Sequence, residues 1–156
     1  MFGGVAGELR VRRSTERITV RKYHTLAAYT TAIVSGSIVN IVWLIKIADH
    51  AAIIANPIQT DICGLAISAA LFGFIIGTTM TDRWYDPIKR IPAMAAGFFI
   101  VACVYAFVGL RIEDYRGDQA GMVVIAIPMF VICAVPILSA FAFIGRIFRT
   151  RKEASN

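Results

Sequence analysis

The stretch Ile62–Met80, ICGLAISAALFGFIIGTTM, contains no charged side chain. A helix needs about 20 predominantly apolar residues to cross a hydrocarbon core about 30 Å thick. A strand would need only half that length. Backbone groups in lipid must also be hydrogen-bonded within the protein, and a helix does this within a single segment. The stretch therefore predicts a membrane-spanning helix.

Three further runs of similar length carry almost no charge. They cover residues 26–47, 91–110 and 121–145. The whole chain is 58% hydrophobic and only 17% charged, with a mean hydropathy of +0.69, whereas about a quarter of an ordinary soluble domain is charged. The sequence predicts an all-α integral membrane protein, a four-helix transmembrane bundle with antiparallel neighbours.

The domain organisation follows from these runs. Residues 1–25 form a basic N-terminal arm, residues 26–146 the four-span transmembrane domain, and residues 147–156 a basic C-terminal tail. The links between spans are too short to fold as separate domains. The first apolar run is too long for the core of a cleavable signal peptide, so none is expected.

Basic residues predict the orientation. The N-terminal arm, the link between spans two and three, and the C-terminal tail together with Arg146 at the end of span four carry thirteen of the 16 Lys and Arg residues. Because Lys and Arg near span ends resist translocation, these three segments are expected on one side. Both termini should face the cytoplasm, with the protein in the cell (inner) membrane. The mitochondrial inner membrane, with the termini in the matrix, is the alternative.

The net charge of +6 is attributed to residues that bind anionic headgroups at the span ends. The aromatic residues lie in and beside the spans rather than on a basic surface, so nucleic acid is not an expected partner. Trp and Tyr also favour the headgroup layer. The residues predicted to contact lipid headgroups are Arg21, Lys22, Arg83, Trp84, Tyr85, Lys89, Arg90, Arg146 and Arg149.

Small residues predict where helices touch. Span two has a stripe of small residues at spacing four, which includes the run GFIIG, and span three offers AMAAG at residues 93–97. Small side chains at this interval let two helix backbones approach closely. A contact between spans two and three is the favoured interpretation, with a contact to a partner chain as the alternative. The predicted packing residues are Ala69, Gly73, Gly77, Ala93, Gly97 and Asn40.

The sequence contains no group of residues whose types and spacing indicate a catalytic site. The two carboxylates of TDRWYDPIKR, Asp82 and Asp86, lie in a short turn, whereas acid/base work needs a buried pocket that separates their pKa values. The three cysteines Cys63, Cys103 and Cys133 form no C-x-x-C pair and are expected to be small apolar residues, although a Cys103–Cys133 bridge is left open. We expect no enzyme activity and no catalytic or metal-binding residue, and structural lipids rather than a cofactor.

Two polar features leave alternatives open. His24 and His50 flank the first span at opposite ends, too far apart to ligate one haem together. Either could ligate a pigment or metal completed by another chain. Asn40 lies near the middle of span one, with Ser35 and Ser37 before it, and is expected to make a weak interhelical hydrogen bond.

Three functions are compatible with this sequence. The favoured one is a non-catalytic accessory or structural subunit of a larger membrane complex of respiratory, photosynthetic or membrane-oxidase type, with lipids and other integral membrane subunits as partners. The first alternative is a small oligomeric transporter or channel with a polar lining of Asn40, Ser35, Ser37, Thr78 and Thr79. The second is a haem- or pigment-holding subunit that uses His24 or His50. Assembly as a homo-oligomer is left open.

Overall fold

The part of the chain that the structure describes forms four helices. The computed structural model describes residues 3–48, 57–80, 86–112 and 117–155, with side chains described within 22–46, 62–80, 86–109, at 111 and within 126–155. All four elements in this part of the chain are α-helices: α1 (Gly3–Ala48), α2 (Pro57–Met80), α3 (Asp86–Ile112) and α4 (Gly117–Ala154). The prediction of an all-helical chain is confirmed.

Each helix contains a segment long and apolar enough to cross a membrane. These segments are Lys22–Lys46, Ile62–Met80, Asp86–Gly109 and Ala126–Ala154. The second coincides with the predicted span. The others overlap the predicted spans and differ from them at their ends.

Contacts between helices fix their relative directions. Along α1 from Trp43 back to Tyr29, the opposing residue on α2 advances from Gly64 to Phe72, so these two helices are antiparallel. On α2 and α4 the contacts run in the same direction: Gly73 lies against Leu138 and, one turn later, Gly77 lies against Ala142. The contacts between α1 and α3 also run in the same direction along both helices, from Tyr29 against Gly97 to Gly36 against Val101. The helices therefore alternate in direction, and the first residues of α1 and the last of α4 lie at the same end of the bundle.

The start of α3 lies within the polar stretch between the second and third apolar runs. Asp86 occupies the first turn, where a carboxylate is stabilised by the helix dipole. Pro87 follows it and is fully buried, at a position where the missing N–H of proline costs no helix hydrogen bond. At the opposite end Arg111 lies over the Phe107 ring, 5.5 Å from its centroid. The third helix therefore begins inside the stretch that was predicted to be a short turn, with Asp86 in its first turn.

Two helices extend well past the predicted spans. The sequence left open whether the basic arm is helical or extended, and α1 is one continuous helix from Gly3. At the other terminus α4 continues to Ala154 and passes through Pro128 and Pro136 without a break. Both prolines face outward from the bundle.

A layer of large apolar side chains fills the interior. Phe72 of α2 lies at its centre, with its ring 6.3 Å from Tyr29 of α1 and 6.2 Å from Phe98 of α3, both measured between ring centroids. Tilted and edge-on arrangements of this kind are favourable for aromatic pairs. The largest fully buried apolar side chains are Phe72, Phe98, Leu44, Ile76, Met94, Leu138 and Val101.

Candidate functional site

The backbones of α2 and α4 lie in close contact at three glycines. A Cβ built on Gly73 would lie 3.0 Å from the Cα of Leu138, and a Cβ on Gly77 would lie 2.8 Å from the Cα of Ala142. Gly145 of α4 makes the reciprocal contact, since a Cβ there would lie 2.5 Å from the Phe74 carbonyl oxygen. Real side chains do not fit at such distances, so these three glycines allow the two backbones to touch.

This contact corrects the predicted pairing of spans two and three. The predicted residues Gly73 and Gly77 lie at a helix contact, but the opposing helix is α4. Among the described helices, α2 and α4 share the most extensive interface and α2 and α3 the smallest. The sequence suggested α3 because AMAAG also offers small residues. Of that run, however, Ala93 is exposed and contributes nothing to the interior.

Gly97 of α3 is the predicted small residue that does contact α2. A Cβ on Gly97 would lie 2.8 Å from Cζ of Phe72 and 3.4 Å from Cδ1 of Tyr29. The missing side chain therefore makes room for aromatic rings rather than for a backbone. Ala69, one turn before Gly73, is fully buried. Four of the six predicted packing residues thus lie inside the bundle as small residues.

A second stripe of small residues lies on α1 and was not predicted. Ala28, Ala32 and Gly36 recur every four residues, and all are buried. A Cβ on Gly36 would lie 3.3 Å from Cγ1 of Val101 and 3.8 Å from the Ser68 carbonyl oxygen, so this face of α1 packs between α3 and α2. The A-x-x-x-A-x-x-x-G spacing is the sequence signal that could have revealed it.

Asn40 continues this stripe one turn after Gly36. Its side chain is 0% exposed, and neither Oδ1 nor Nδ2 has a hydrogen-bond partner. The residue lies at a helix contact as predicted, but it does not form the expected interhelical hydrogen bond. The Ser37 hydroxyl, three residues earlier, is also buried without a partner.

Several Ser and Thr hydroxyl groups in the helices bond to carbonyls of their own helix. Ser68 donates to the Leu65 carbonyl at 2.9 Å, Thr79 to Ile75 at 2.6 Å and Thr31 to Ala27 at 2.8 Å. This is the usual way in which Ser and Thr are satisfied inside a helix. Asn40 and Ser37 differ from these residues because their buried polar atoms have no hydrogen-bond partner.

The predicted headgroup residues lie mainly at the end of the bundle that carries both termini. Lys22 and Lys89 are exposed, and Arg90 is partly exposed. Arg149 forms a 2.8 Å ion pair with Glu153, and the Nε atom of Arg146 is buried without a hydrogen-bond partner. The side chain of Arg21 and all of Arg83, Trp84 and Tyr85 lie outside the described part of the chain.

The candidate ligands for metals and cofactors are dispersed. His24 is exposed, and His50 lies outside the described residues. All three cysteines are free, so the Cys103–Cys133 bridge left open by the sequence is not formed. Within the described residues, no three His, Cys, Asp or Glu side chains are grouped so as to hold a metal ion.

No protein-family model, curated protein or solved structure matches this chain. The class of protein is therefore defined by the fold: a helical bundle whose described part contains four helices long and apolar enough to span a membrane. This arrangement is compatible with a multi-pass membrane protein.

Proposed function

We propose that this chain is an integral membrane protein that serves as a non-catalytic accessory subunit of a larger membrane complex. Its four helices insert with both termini on the cytoplasmic side, and its outer surface packs against larger subunits and lipid. Respiratory, photosynthetic and membrane-oxidase assemblies are the kinds of complex that such a subunit fits.

The packing of the interior is the observation that carries this proposal. The helices contact each other through their backbones at Gly73 and Gly77 and through the aromatic layer around Phe72. Among the described residues, the polar ones that are buried as a whole are Asn40 and Ser68, and both are uncharged. Proton relays and acid/base catalysis use ionisable groups that face the interior or a water-filled cavity. An interior that buries no charged residue among those described instead suits a protein that acts through its surface.

The outer surface supports the same proposal. Large apolar side chains project outward from α1 and α4, and such surfaces need lipid or protein neighbours. In lipid, helices associate through packing rather than through the hydrophobic effect, so shape complementarity with other subunits would hold the chain in place. The exposed apolar residues on these two helices include Leu26, Val34, Ile38, Val42, Ile45, Met129, Ile132, Ile144, Ile147 and Phe148.

Charge distribution supports the orientation. The basic residues of the N-terminal arm, the middle link and the C-terminal tail fall on one side of a four-span topology. Since Lys and Arg are retained on the cytoplasmic side, that side is assigned to both termini. The same residues would bind anionic lipid headgroups.

The test is native mass spectrometry of the chain, extracted gently from its own membrane into nanodiscs. We expect a particle in which other integral membrane chains accompany it at a fixed stoichiometry. A particle that contains only this chain and lipid would contradict the proposal. Homo-oligomers would appear in the same measurement as whole multiples of the chain mass.

A small oligomeric transporter or channel is the second candidate, and Asn40 is the observation that favours it. An intramembrane amide without a protein partner is a group that a polar solute could bind. Flux of a polar solute through proteoliposomes of the purified chain alone, lost in Asn40→Leu but retained in Thr31→Val, would support this function over the first. Thr31 is exposed, and its hydroxyl is bonded to the Ala27 carbonyl of its own helix.

A further inference from the structure

Asn40 and Ser37 together present buried polar groups that no described protein group satisfies. The Asn40 side chain is 0% exposed, yet its carbonyl oxygen and its amide nitrogen both lack partners, as does the Ser37 hydroxyl. Buried polar side chains are nearly always hydrogen-bonded, to protein or to ordered water. Each exception therefore requires a specific explanation, and here three unpartnered atoms occur within one turn of the same helix.

The two residues lie on neighbouring parts of one helix surface. Residues three apart on a helix are side by side, so Ser37 and Asn40 can contact the same small molecule. Gly36 and Leu44, one turn before and one turn after Asn40, are both buried. Asn40 therefore lies on the face of α1 that packs against the other helices, with buried residues one turn before it and one turn after it.

The register between helices locates the site more closely. Gly36 of α1 lies opposite Ser68 of α2, and Trp43 lies against Gly64. Asn40 falls between those two levels, so it faces the segment of α2 from Gly64 to Ser68. On α3, Gly36 lies against Val101, and one turn further along is Tyr105, which is also buried. The site is therefore between α1, α2 and α3.

The chemistry of these groups restricts what can bind. Asn40 offers one carbonyl acceptor and two N–H donors, and Ser37 offers a hydroxyl that both donates and accepts. A ligand must therefore both donate and accept hydrogen bonds. It must be uncharged, because no charged side chain among those described is buried beside it. It must also be small, because large apolar residues such as Leu44 and Val101 occupy the neighbouring levels.

We propose that Asn40 and Ser37 form an internal binding site for water in the interior of the helix bundle. Water donates two hydrogen bonds and accepts two, and an internal water needs two to four polar partners, a number that this pair supplies. The site rests on burial within the chain and is independent of whether the protein acts as an accessory subunit or as a transporter.

Selective labelling makes the site observable. The chain contains three asparagines, Asn40, Asn56 and Asn156, so side-chain ¹⁵N-asparagine labelling of the full chain in nanodiscs gives three NH₂ groups. Rotating-frame magnetisation transfer from water is then measured, since its sign separates dipolar contact from proton exchange. The Asn40 signal is the one lost in Asn40→Leu. If that variant does not fold, Asn56→Gln and Asn156→Gln assign the signal by elimination.

We expect dipolar transfer from a long-lived water to the Asn40 NH₂ group. The transfer should be lost or strongly weakened in Ser37→Ala and retained in Thr79→Val, which removes a hydroxyl already bonded within its own helix. Absence of dipolar transfer to Asn40 in the wild-type chain would overturn the proposal. Transfer of unchanged strength in Ser37→Ala would overturn the two-residue site.

Discussion

Gly77 of α2 lies directly against the backbone of Ala142 of α4, so closely that a Cβ on Gly77 would come within 2.8 Å of the Ala142 Cα. The obstructing atoms are main-chain atoms of another helix, which cannot rotate away as a side chain can. Gly145, one turn after Ala142, makes the reverse contact with α2. The two helices are therefore held at a separation that only glycine permits.

The first prediction concerns Gly77→Ala. The added methyl group must push α2 and α4 apart, and overpacking of this kind costs about 1–3 kcal/mol of folding free energy. We expect a lower denaturant midpoint in mixed micelles, measured by tryptophan fluorescence. Gly109→Ala is the matched control, because a Cβ at Gly109 meets nothing within 4 Å and alanine favours helix by up to about 1 kcal/mol. Equal midpoints for the two variants would contradict the described α2–α4 contact.

Gly97→Ala should have a smaller effect than Gly77→Ala. The new methyl group would meet the Phe72 ring at Cζ, 2.8 Å away, and a ring can tilt by a few tenths of an ångström where a backbone cannot. We expect a loss of about 1 kcal/mol, at the low end of overpacking costs. The same denaturation measurement should rank the stabilities of the variants as Gly109→Ala, then Gly97→Ala, then Gly77→Ala. A reversed order of the last two would show that the aromatic layer is the more rigid contact.

Phe72→Ala should leave a cavity at the centre of the aromatic layer. Phe72 is 0% exposed and contacts Tyr29 and Phe98, and replacing a buried Phe by Ala costs about 3–5 kcal/mol. Phe107→Ala is the control, since Phe107 is 61% exposed. Thermal unfolding in detergent should show a large decrease in midpoint for Phe72→Ala and a small change for Phe107→Ala. Similar decreases in both variants would contradict the central position of Phe72.

The proposed orientation can be tested by cysteine labelling in intact cells. In a variant whose three cysteines are replaced by serine, Ser155→Cys should react with a membrane-impermeant maleimide only after permeabilisation. Glu113→Cys, in the polar link before α4, should react in intact cells. The reason is that basic residues hold the segments around both termini on the cytoplasmic side. Labelling of Ser155→Cys in intact cells would contradict this orientation.

The number and type of helices were predictable because long uncharged runs have few alternatives. Ile62–Met80 is both the predicted span and the apolar part of α2. The ends were less predictable. The third helix begins at Asp86 rather than at residue 91, because Asp86-Pro87 and the following basic residues are compatible with the first turns of a helix.

Helix pairing was not predictable from composition. The stripe at Gly73 and Gly77 could pack against any helix with small residues at the same level, and span three offered the obvious match at 93–97. The structure instead pairs the stripe with Leu138, Ala142 and Gly145 of α4. The sequence did not indicate α4 as the partner because Leu138 has a large side chain, whereas the atoms of Leu138 that contact Gly73 belong to its backbone. The unpartnered amide of Asn40 was also not predictable, because the sequence cannot tell whether a neighbouring helix offers a hydrogen bond.

The continuity of α1 has a mechanical consequence. Its 46 residues form a rod about 69 Å long at about 1.5 Å per residue, with no break between the basic arm and the face that carries Gly36 and Asn40. A rod transmits torque along its length. A molecule that binds the arm would therefore act on the same continuous helix that carries Asn40, 37 residues after Gly3.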